Sequence, residues 1–183
     1  LSGNGRNATQ ATGSKKPTFQ TNELYGKPVL RFDGVDDQLQ TASITWPAEF
    51  TVFVLAKTRS GASYAFDIIA ADNAARIFDF QLNSATSWKW VNYNTVGGNC
   101  EDGETSSENV WHVVSGVRRS GNAQLYIDGV SDGSTSSSGT TQNTGSTPLY
   151  VGEIGYGSFY FFDGDIAAIV VYHSALSDTD REA

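Results

Sequence analysis

The sequence has little cysteine, histidine or positive charge, and each shortage excludes a class of function. Cys100 is the single cysteine, so an internal disulfide and a four-cysteine zinc site are excluded. Two histidines, His112 and His173, are too few for a three-histidine metal site. The 12 basic residues stand against 20 acidic ones, and no basic run exceeds Lys15-Lys16 or Arg118-Arg119. Because nucleic-acid binding depends on clustered positive charge, we expect no nucleic-acid partner.

Long apolar runs and long helix-forming segments are also missing. No apolar run reaches the roughly 18 residues of a membrane span, and no signal peptide is visible, so we expect no membrane-spanning segment. Aromatic residues make up 12% of the chain, and Gly, Ser and Thr are abundant, which is typical of a β-sandwich or barrel. The 183 residues suffice for one well-buried core but not for two comfortable domains.

Short apolar or alternating segments follow one another along the chain and predict strands. Ser177, with Asp180 three residues later, predicts a capped helical turn at the end. The predicted strands cover residues 28–33, 37–41, 50–57, 65–71, 76–82, 87–94, 110–118, 123–127, 148–152, 159–162 and 166–172. This spacing predicts a single antiparallel sandwich of two sheets.

The segments between these strands are polar or rich in glycine. Residues 1–27 predict an irregular arm, with disorder as the open alternative. The runs 97–109 and 131–147 predict surface loops. Asp128-Gly129 is the strongest hairpin-turn signal in the chain.

Two acidic turns adjoin predicted core strands. Asp33, Asp36 and Asp37 crowd the first turn, and Asp163 and Asp165 belong to the second. Calcium is a hard cation that takes about six to eight oxygen ligands, and these five carboxylates supply enough oxygen if the turns meet. We therefore predict a calcium site formed by these five aspartates. Turn formation by the Asp-Gly pairs alone is the alternative that stays open.

Aromatic side chains provide candidate ligand-binding residues. Trp88 and Trp90 lie two residues apart, so they share one face of a strand, and Asn92 continues that face. Sugars stack their C–H faces on aromatic rings and bind amides through their hydroxyls. The predicted carbohydrate-binding residues are Trp88, Trp90, Asn92, Tyr93, Tyr156 and Tyr160. Burial of one or both tryptophans in the core is the open alternative.

Several motifs occur in an order that resembles a known family. In chain order they are Ser2-Gly3-Asn4-Gly5, Gly26-Lys27-Pro28-Val29, Phe32-Asp33-Gly34-Val35-Asp36-Asp37, Trp111-His112-Val113-Val114, Leu125-Tyr126-Ile127-Asp128-Gly129 and Phe162-Asp163-Gly164-Asp165-Ile166-Ala167. Together they resemble the laminin-G-like, concanavalin-A-like jelly-roll domains. The resemblance implies an all-β, two-sheet antiparallel jelly roll that binds glycans or protein ligands. It also implies that a structural calcium ion is frequent and that the domain serves as an accessory module of a larger protein.

The sequence offers no arrangement of residues for catalysis. Retaining jelly-roll glucanases need two carboxylates about 5–5.5 Å apart, which a strand supplies as Glu-x-Asp-x-x-Glu. That run is missing, and no Ser-His-Asp arrangement or phosphate loop suggests itself. We therefore assign no catalytic residue and expect no enzyme activity.

The expected function is that of a non-catalytic recognition module. We predict one domain over residues 1–183, excised from a larger protein because the chain opens at Leu1-Ser2 without methionine. Its expected ligand is a glycan or polysaccharide, and its expected location is extracellular, on a cell surface or on a virion. The alternative is a structural or adhesive domain that contacts other protein subunits in a fibre, pilus or virion.

Overall fold

A computed structural model describes most of the chain, and every structural statement below refers to that part. The described residues are 7–59, 66–71, 76–84, 87–94, 97–102, 108–119, 122–137, 143–154 and 160–182. No helix in these ranges has the length and apolar character that crossing a membrane requires.

Antiparallel strands account for most of the described chain. The strands are β1 (Thr18–Leu24), β2 (Lys27–Asp33), β3 (Leu39–Gln40), β4 (Ile44–Trp46), β5 (Phe50–Thr58), β6 (Phe66–Ala70), β7 (Phe78–Ser84), β8 (Ser87–Asn94), β9 (Gly97–Asp102), β10 (Trp111–Arg119), β11 (Asn122–Ile127), β12 (Val130–Ser137), β13 (Gly145–Thr147), β14 (Tyr150–Val151) and β15 (Asp163–Tyr172). A 3₁₀ turn (Gly13–Lys15) precedes them, and helix α1 (Asp178–Glu182) follows.

These strands form two large sheets. The first has seven strands in the order β1-β2-β15-β5-β10-β11-β12, and the second has six in the order β3-β14-β6-β7-β8-β9. Strands β4 and β13 form a separate pair. The predicted all-β, two-sheet antiparallel jelly-roll fold is confirmed. Strands β2 and β15, from opposite ends of the sequence, are neighbours, which places the two acidic turns together.

The core lies between the two sheets and follows from strand alternation. Phe50 and its alternate neighbours along β5 are at most 1% exposed and meet the inward residues of β7 and β8. Trp90 stacks on Phe78 at 5.2 Å and meets Phe80 edge-on at 4.5 Å. A Cβ at Gly116 would lie 1.9 Å from the Trp90 ring, so the glycine in mid-strand is needed to admit the indole. Each buried large side chain contributes about 1.5–3 kcal/mol of transfer free energy.

Two local signals in the sequence have the predicted structure. Asp128 and Gly129 have φ of 51° and 85°, and they join the paired residues Ile127 and Val130, as in a two-residue type I′ hairpin. At α1, the Ser177 hydroxyl donates to Asp180 Oδ2 over 2.6 Å and accepts from the Asp180 N–H. The hairpin and the helix cap are therefore confirmed.

Three segments predicted as irregular or as loops contain long strands, and each of these long strands lies at a sheet edge. The expected irregular arm contains β1, the expected loop 97–109 contains β9, and the expected loop 131–147 contains β12 and β13. An edge strand needs only one neighbour and little apolar surface, so its sequence resembles that of a loop. Conversely, residues 160–162 form only an isolated bridge where a strand was expected, and the strand β15 already begins at Asp163. Residues 72–75, between the expected strands 65–71 and 76–82, lie outside the described residues.

Candidate functional site

The acidic segment between β2 and β3 brings three carboxylates together. One carboxylate oxygen from each of Asp33, Asp36 and Asp37 lies within 4.8 Å of the others. Asp33 Oδ1 accepts hydrogen bonds from the N–H groups of Val35, at 2.8 Å, and Asp36, at 3.3 Å. Asp37 Oδ2 accepts one from the Asp33 N–H at 3.1 Å. These bonds fold the turn, so the predicted turn chemistry is present.

The same carboxylates crowd one another electrostatically. Burial raises the pKa of Asp37, and the neighbouring charges of Asp33 and Asp36 raise it further, against the hydrogen bond from the Asp33 backbone. Among the described contacts, the carboxylate of Asp36 and one carboxylate oxygen each of Asp33 and Asp37 remain outside these hydrogen bonds. This donor set suits a hard cation such as calcium.

The second acidic turn meets the first through the backbone, but its two side chains differ. Asp163 is the strand partner of Asp33, and a Cβ at Gly34 would lie 2.8 Å from the Asp163 Cβ, so the contact requires glycine there. Asp163 lies 3.7 Å from Arg59. Asp163 and Asp165 are not part of the three-carboxylate cluster.

Asp165 belongs to a separate ion cluster, which corrects its assignment as a calcium ligand. Its fully buried carboxylate accepts two hydrogen bonds from Arg31, at 2.7 and 3.0 Å, and lies 3.1 Å from Lys57 Nζ. Burial alone raises the pKa of Asp165, but the hydrogen bonds and charges of Arg31 and Lys57 outweigh it and hold that pKa below its ordinary range. Glu23 lies 3.1 Å from Arg31 and extends the cluster. These residues come from four neighbouring strands, so only the strand order reveals the cluster.

The two tryptophans lie in the core, which corrects their predicted role as ligand-binding residues. Trp88 is 1% exposed, and Trp90 and Asn92 are fully buried. Asn92 Oδ1 accepts a hydrogen bond from Arg118 at 3.4 Å. The three side chains share one face, as predicted, but it is the core face, so neither indole offers a ring surface to a ligand. Alternation alone could not choose between the faces, because the opposite face of β8 also carries large side chains.

That opposite face of the six-stranded sheet carries a polar and aromatic row. Directly paired residues share a face, and the row runs across the strands. Its members are Gln40 on β3, Tyr150 on β14, Ala70 on β6, Asp79 on β7 and Val91 on β8. We call this surface, together with Gln81, Lys89 and Tyr93, the outer face of the six-stranded sheet.

Tyr93 and Asp79 form a hydrogen-bonded pair on this outer face. The Tyr93 hydroxyl donates to Asp79 Oδ2 over 2.7 Å, with Asp79 fully buried and Tyr93 9% exposed. The guanidinium of Arg76 lies 4.7 Å from the centre of the Tyr93 ring. Gln81 and Lys89 are strand partners and are partly exposed beside this pair. The pair itself is therefore buried, and the groups of this arrangement that reach the surface are Arg76, Gln81 and Lys89.

Arg118, which the sequence showed only as one half of a basic pair, is buried at the end of the sandwich beneath this face. Arg118 is fully buried, and its guanidinium lies 4.4 Å from the Phe50 ring. Burial lowers the pKa of Arg118 to about 10. Its hydrogen-bond acceptors are the carbonyls of Pro47, Ala48, Ile77 and Asn143 and the side chain of Asn92. Alternate residues of β10, including His112, Val114 and Gly116, face the core, and Arg118 continues this alternation. That alternation is the sequence signal that could have placed Arg118 in the core.

The remaining predicted ligand residues are in loops. Tyr160 is 41% exposed and stays a candidate. Tyr156 lies outside the described residues. Cys100 pairs with Val91 through the backbone of β9.

Comparison with known proteins identifies the family. The model of the concanavalin A-like lectin/glucanases superfamily matches residues 33–180, which is well over half of the chain. The chain therefore belongs to this superfamily, as its motifs indicated. No curated protein sequence matches it significantly.

Solved structures share the fold at low sequence identity. The binding domain of Paraclostridial Mosquitocidal Protein 1 has a TM-score of 0.74 and 15% identity, covering 100% of this chain and 47% of that one. The botulinum neurotoxin serotype D ligand binding domain in complex with N-acetylneuraminic acid has a TM-score of 0.74 and 14% identity over 97% and 45%. Domain 4 of AbnA, a GH43 extracellular arabinanase from Geobacillus stearothermophilus, in complex with arabinotriose, has a TM-score of 0.63 and 12% identity over 91% and 80%. The chain spans about half the length of the toxin binding domains that it matches.

Proposed function

We propose that this domain binds carbohydrate, without catalysis, on the outer face of the six-stranded sheet. The observation that carries the proposal is the Tyr93–Asp79 hydrogen bond of 2.7 Å on a sheet face turned away from the core. Burying a carboxylate is unfavourable unless it is paired, and the Tyr93 hydroxyl supplies a partner for Asp79. Fixed hydrogen-bonding groups beside an aromatic ring are the chemistry that recognises sugars.

Three further observations support this proposal. The chain belongs to a lectin/glucanase superfamily. Two proteins of the same fold were solved with N-acetylneuraminic acid and arabinotriose bound. The sequence lacks the paired acidic motif of jelly-roll glucanases. We extend the proposal to an extracellular or surface location, in keeping with the extracellular arabinanase whose domain shares the fold.

We also propose that calcium binds the cluster of Asp33, Asp36 and Asp37. The support is the mutual approach of their oxygens within 4.8 Å and the raised pKa of Asp37, which burial and two like charges produce. A bound divalent cation would neutralise these charges and stiffen the β2–β3 turn. Its role would be structural, since the cluster belongs to the β2–β3 turn and the Tyr93–Asp79 pair to β7 and β8.

The test of carbohydrate binding compares the two sheets. Gln81→Ala with Lys89→Ala removes two partly exposed groups from the outer face of the six-stranded sheet. Gln20→Ala with Lys27→Ala is the matched control on the seven-stranded sheet. Because single polar contacts contribute about 0.5–1.5 kcal/mol each, we expect the first pair to weaken glycan retention about tenfold. Affinity electrophoresis against a polysaccharide panel measures this, and equal retention of both double variants would refute the assigned face.

A protein-contact function is the second candidate, and one surface favours it. Val113, Val170 and Tyr172 are 40–44% exposed on the outer face of the seven-stranded sheet, beside Phe53 and Leu55. Exposed apolar patches of this kind mark protein contacts. Concentration-dependent association in sedimentation experiments, abolished by Val170→Lys, together with no glycan retention, would favour this candidate over the first.

A further inference from the structure

We propose that a polar pocket beside β3 is a subsite for a sugar residue that carries one carboxylate. This inference rests on the proposed carbohydrate-binding function and names the class of sugar. The pocket has a volume of about 360 Å³. Apart from Ala11, its lining is polar: Thr9, Gln10, Thr12, Lys15, Gln38 and Gln40. We call it the edge pocket.

Backbone hydrogen bonds fix the walls of the edge pocket. Thr9 and Gln40 exchange two backbone hydrogen bonds, of 2.8 and 3.0 Å. The Gln38 N–H donates to the Lys15 carbonyl over 3.0 Å. Gln10 uses its side chain within the wall, since its amide nitrogen donates to the Gln38 carbonyl and its oxygen accepts from the Thr12 N–H. The segment that precedes β1 is therefore fastened along β3 and does not need a ligand to form the pocket.

Five polar side chains of the edge pocket have no side-chain hydrogen bond or ion pair with the described residues. They are the amides of Gln38 and Gln40, the hydroxyls of Thr9 and Thr12, and the ammonium group of Lys15. Amides and hydroxyls both donate and accept, whereas an ammonium group only donates. Lys15 is half-buried, so part of its hydration is already lost.

The edge pocket lies at the β3 edge of the six-stranded sheet. Gln40 is the strand partner of Tyr150, so their side chains share a face. The adjacent pair, Leu39 and Val151, points towards the core. Thr9 pairs with Gln40 in turn and extends the same row by one position.

The hydrogen-bonding groups of the edge pocket determine which kind of sugar residue fits it. Two amides and two hydroxyls suit sugar hydroxyls, and a single ammonium group suits a single carboxylate, which it binds by a charge-assisted hydrogen bond. Asp36 and Asp37 lie just before Gln38 in the chain, and neither forms an ion pair with Lys15. With a net charge of −8, the chain repels polyanions at longer range, so one carboxylate is favoured over a sulfated polymer.

The experiment titrates the ¹⁵N-labelled chain with methyl β-D-glucuronide and methyl β-D-glucoside. The two differ only in that the glucuronide has a carboxylate where the glucoside has a hydroxymethyl group. Chemical shifts report both affinity and location. We expect the glucuronide to bind about threefold to fivefold more tightly at low salt, with shifts in residues 9–15 and 38–40, since exposed ion pairs contribute up to about 1 kcal/mol. Lys15→Gln should abolish the preference, and the neighbouring exposed variant Lys16→Gln should retain it.

The outcomes separate this inference from the proposed function. Equal affinity for the two sugars, or a preference that survives Lys15→Gln, would overturn the acidic-sugar subsite while leaving glycan binding on the outer face intact. A glucuronide preference confined to the edge pocket, with retention unaffected by the Gln81/Lys89 double variant, would keep the subsite and overturn the proposed face. No shift with either sugar at about 50 mM, well above the millimolar range of weak ligands, would reject the edge pocket as a sugar subsite.

Discussion

The two sheets each bury a carboxylate on the face turned away from the core, but the two carboxylates have different interaction partners. On the seven-stranded sheet, Asp165 is enclosed by two cations, Arg31 and Lys57, at 2.7 and 3.1 Å. On the six-stranded sheet, Asp79 accepts a 2.7 Å hydrogen bond from the neutral hydroxyl of Tyr93. The first arrangement is an internal salt bridge whose charges compensate one another. The second is a buried pair beside the partly exposed Gln81 and Lys89, which is why we propose ligand binding there.

The C-terminal segment covers part of the outer face of the seven-stranded sheet. The Arg181 guanidinium lies 3.6 Å from the Tyr126 ring centre and donates to the Gly129 carbonyl over 3.1 Å. The Thr51 hydroxyl and the Leu176 N–H tie the approach to α1 against β5. The chain therefore covers part of both outer faces, because Ala70, Asp79, Val91, Tyr93 and Tyr150 on the six-stranded sheet are at most 9% exposed.

The largest expected effect separates the two faces of β8. Trp90→Ala removes a fully buried indole that packs on Phe78 and Phe80, and we expect it to lower the free energy of unfolding by about 3–5 kcal/mol. Lys89→Ala, one residue away on the outer face, should change stability by less than about 0.5 kcal/mol. Urea unfolding measures both. Similar losses for the two variants would contradict the face assignment of β8.

The next effect concerns the ion cluster on the seven-stranded sheet. Asp165→Asn leaves Arg31 and Lys57 without their buried counter-ion, and we expect a loss of about 2–3 kcal/mol. This is below the value for fully buried pairs, because both cations retain partial exposure. Asp163→Asn is the control on the same strand. If thermal unfolding of the two variants were alike, Asp165 would not be the anchor of the cluster.

Acid should reproduce the loss at Asp165. Because its pKa is lowered in the folded state, the stabilisation is fully present above the ordinary aspartate pKa of about 4 and disappears as pH falls through the lowered value. The stability difference between the wild type and Asp165→Asn should therefore shrink below about pH 4. A difference that stayed constant down to about pH 2 would exclude this linkage.

The pKa of Asp37, in the cluster of Asp33, Asp36 and Asp37, is shifted in the opposite direction to that of Asp165. Asp37 has a raised pKa, so its ionised form destabilises the fold near neutral pH, and Asp37→Asn in chelator should stabilise slightly. Calcium at about ten times its dissociation constant should stabilise the wild type by about 1.4 kcal/mol, which corresponds to about 3–5 °C in Tm. Asp37→Asn should reduce this response. Identical melting curves with calcium and with chelator would remove the calcium proposal.

The parts that were predictable from sequence are those governed by local chemistry. Asp128-Gly129 predicts its turn because both residues accept positive φ, and Ser177 with Asp180 predicts its cap. Central strands such as β5 and β8 carry enough apolar residues to be recognised. Edge strands such as β9 carry too few apolar residues to be recognised, because a strand with a single neighbour needs little apolar surface.

The candidate site depended on information that alternation does not contain. The pattern at Trp88 and Trp90 predicts a shared face but not which face meets the core. The sequence predicts Asp165 as a metal ligand, whereas the strand order makes Arg31 and Lys57 its neighbours on the two adjacent strands. The Tyr93–Asp79 pair joins adjacent strands and required the β7–β8 register to be seen.

The most direct test of the central claim is the location of bound glycan. The ¹⁵N-labelled chain is titrated with the oligosaccharide released from the polysaccharide that retains it best, and amide shifts are mapped onto the two sheets. We predict that shifts concentrate on β7, β8 and β14, and that they are lost in the Gln81→Ala, Lys89→Ala double variant. Shifts concentrated on β5, β10 and β15 would contradict the assignment of ligand binding to the six-stranded sheet.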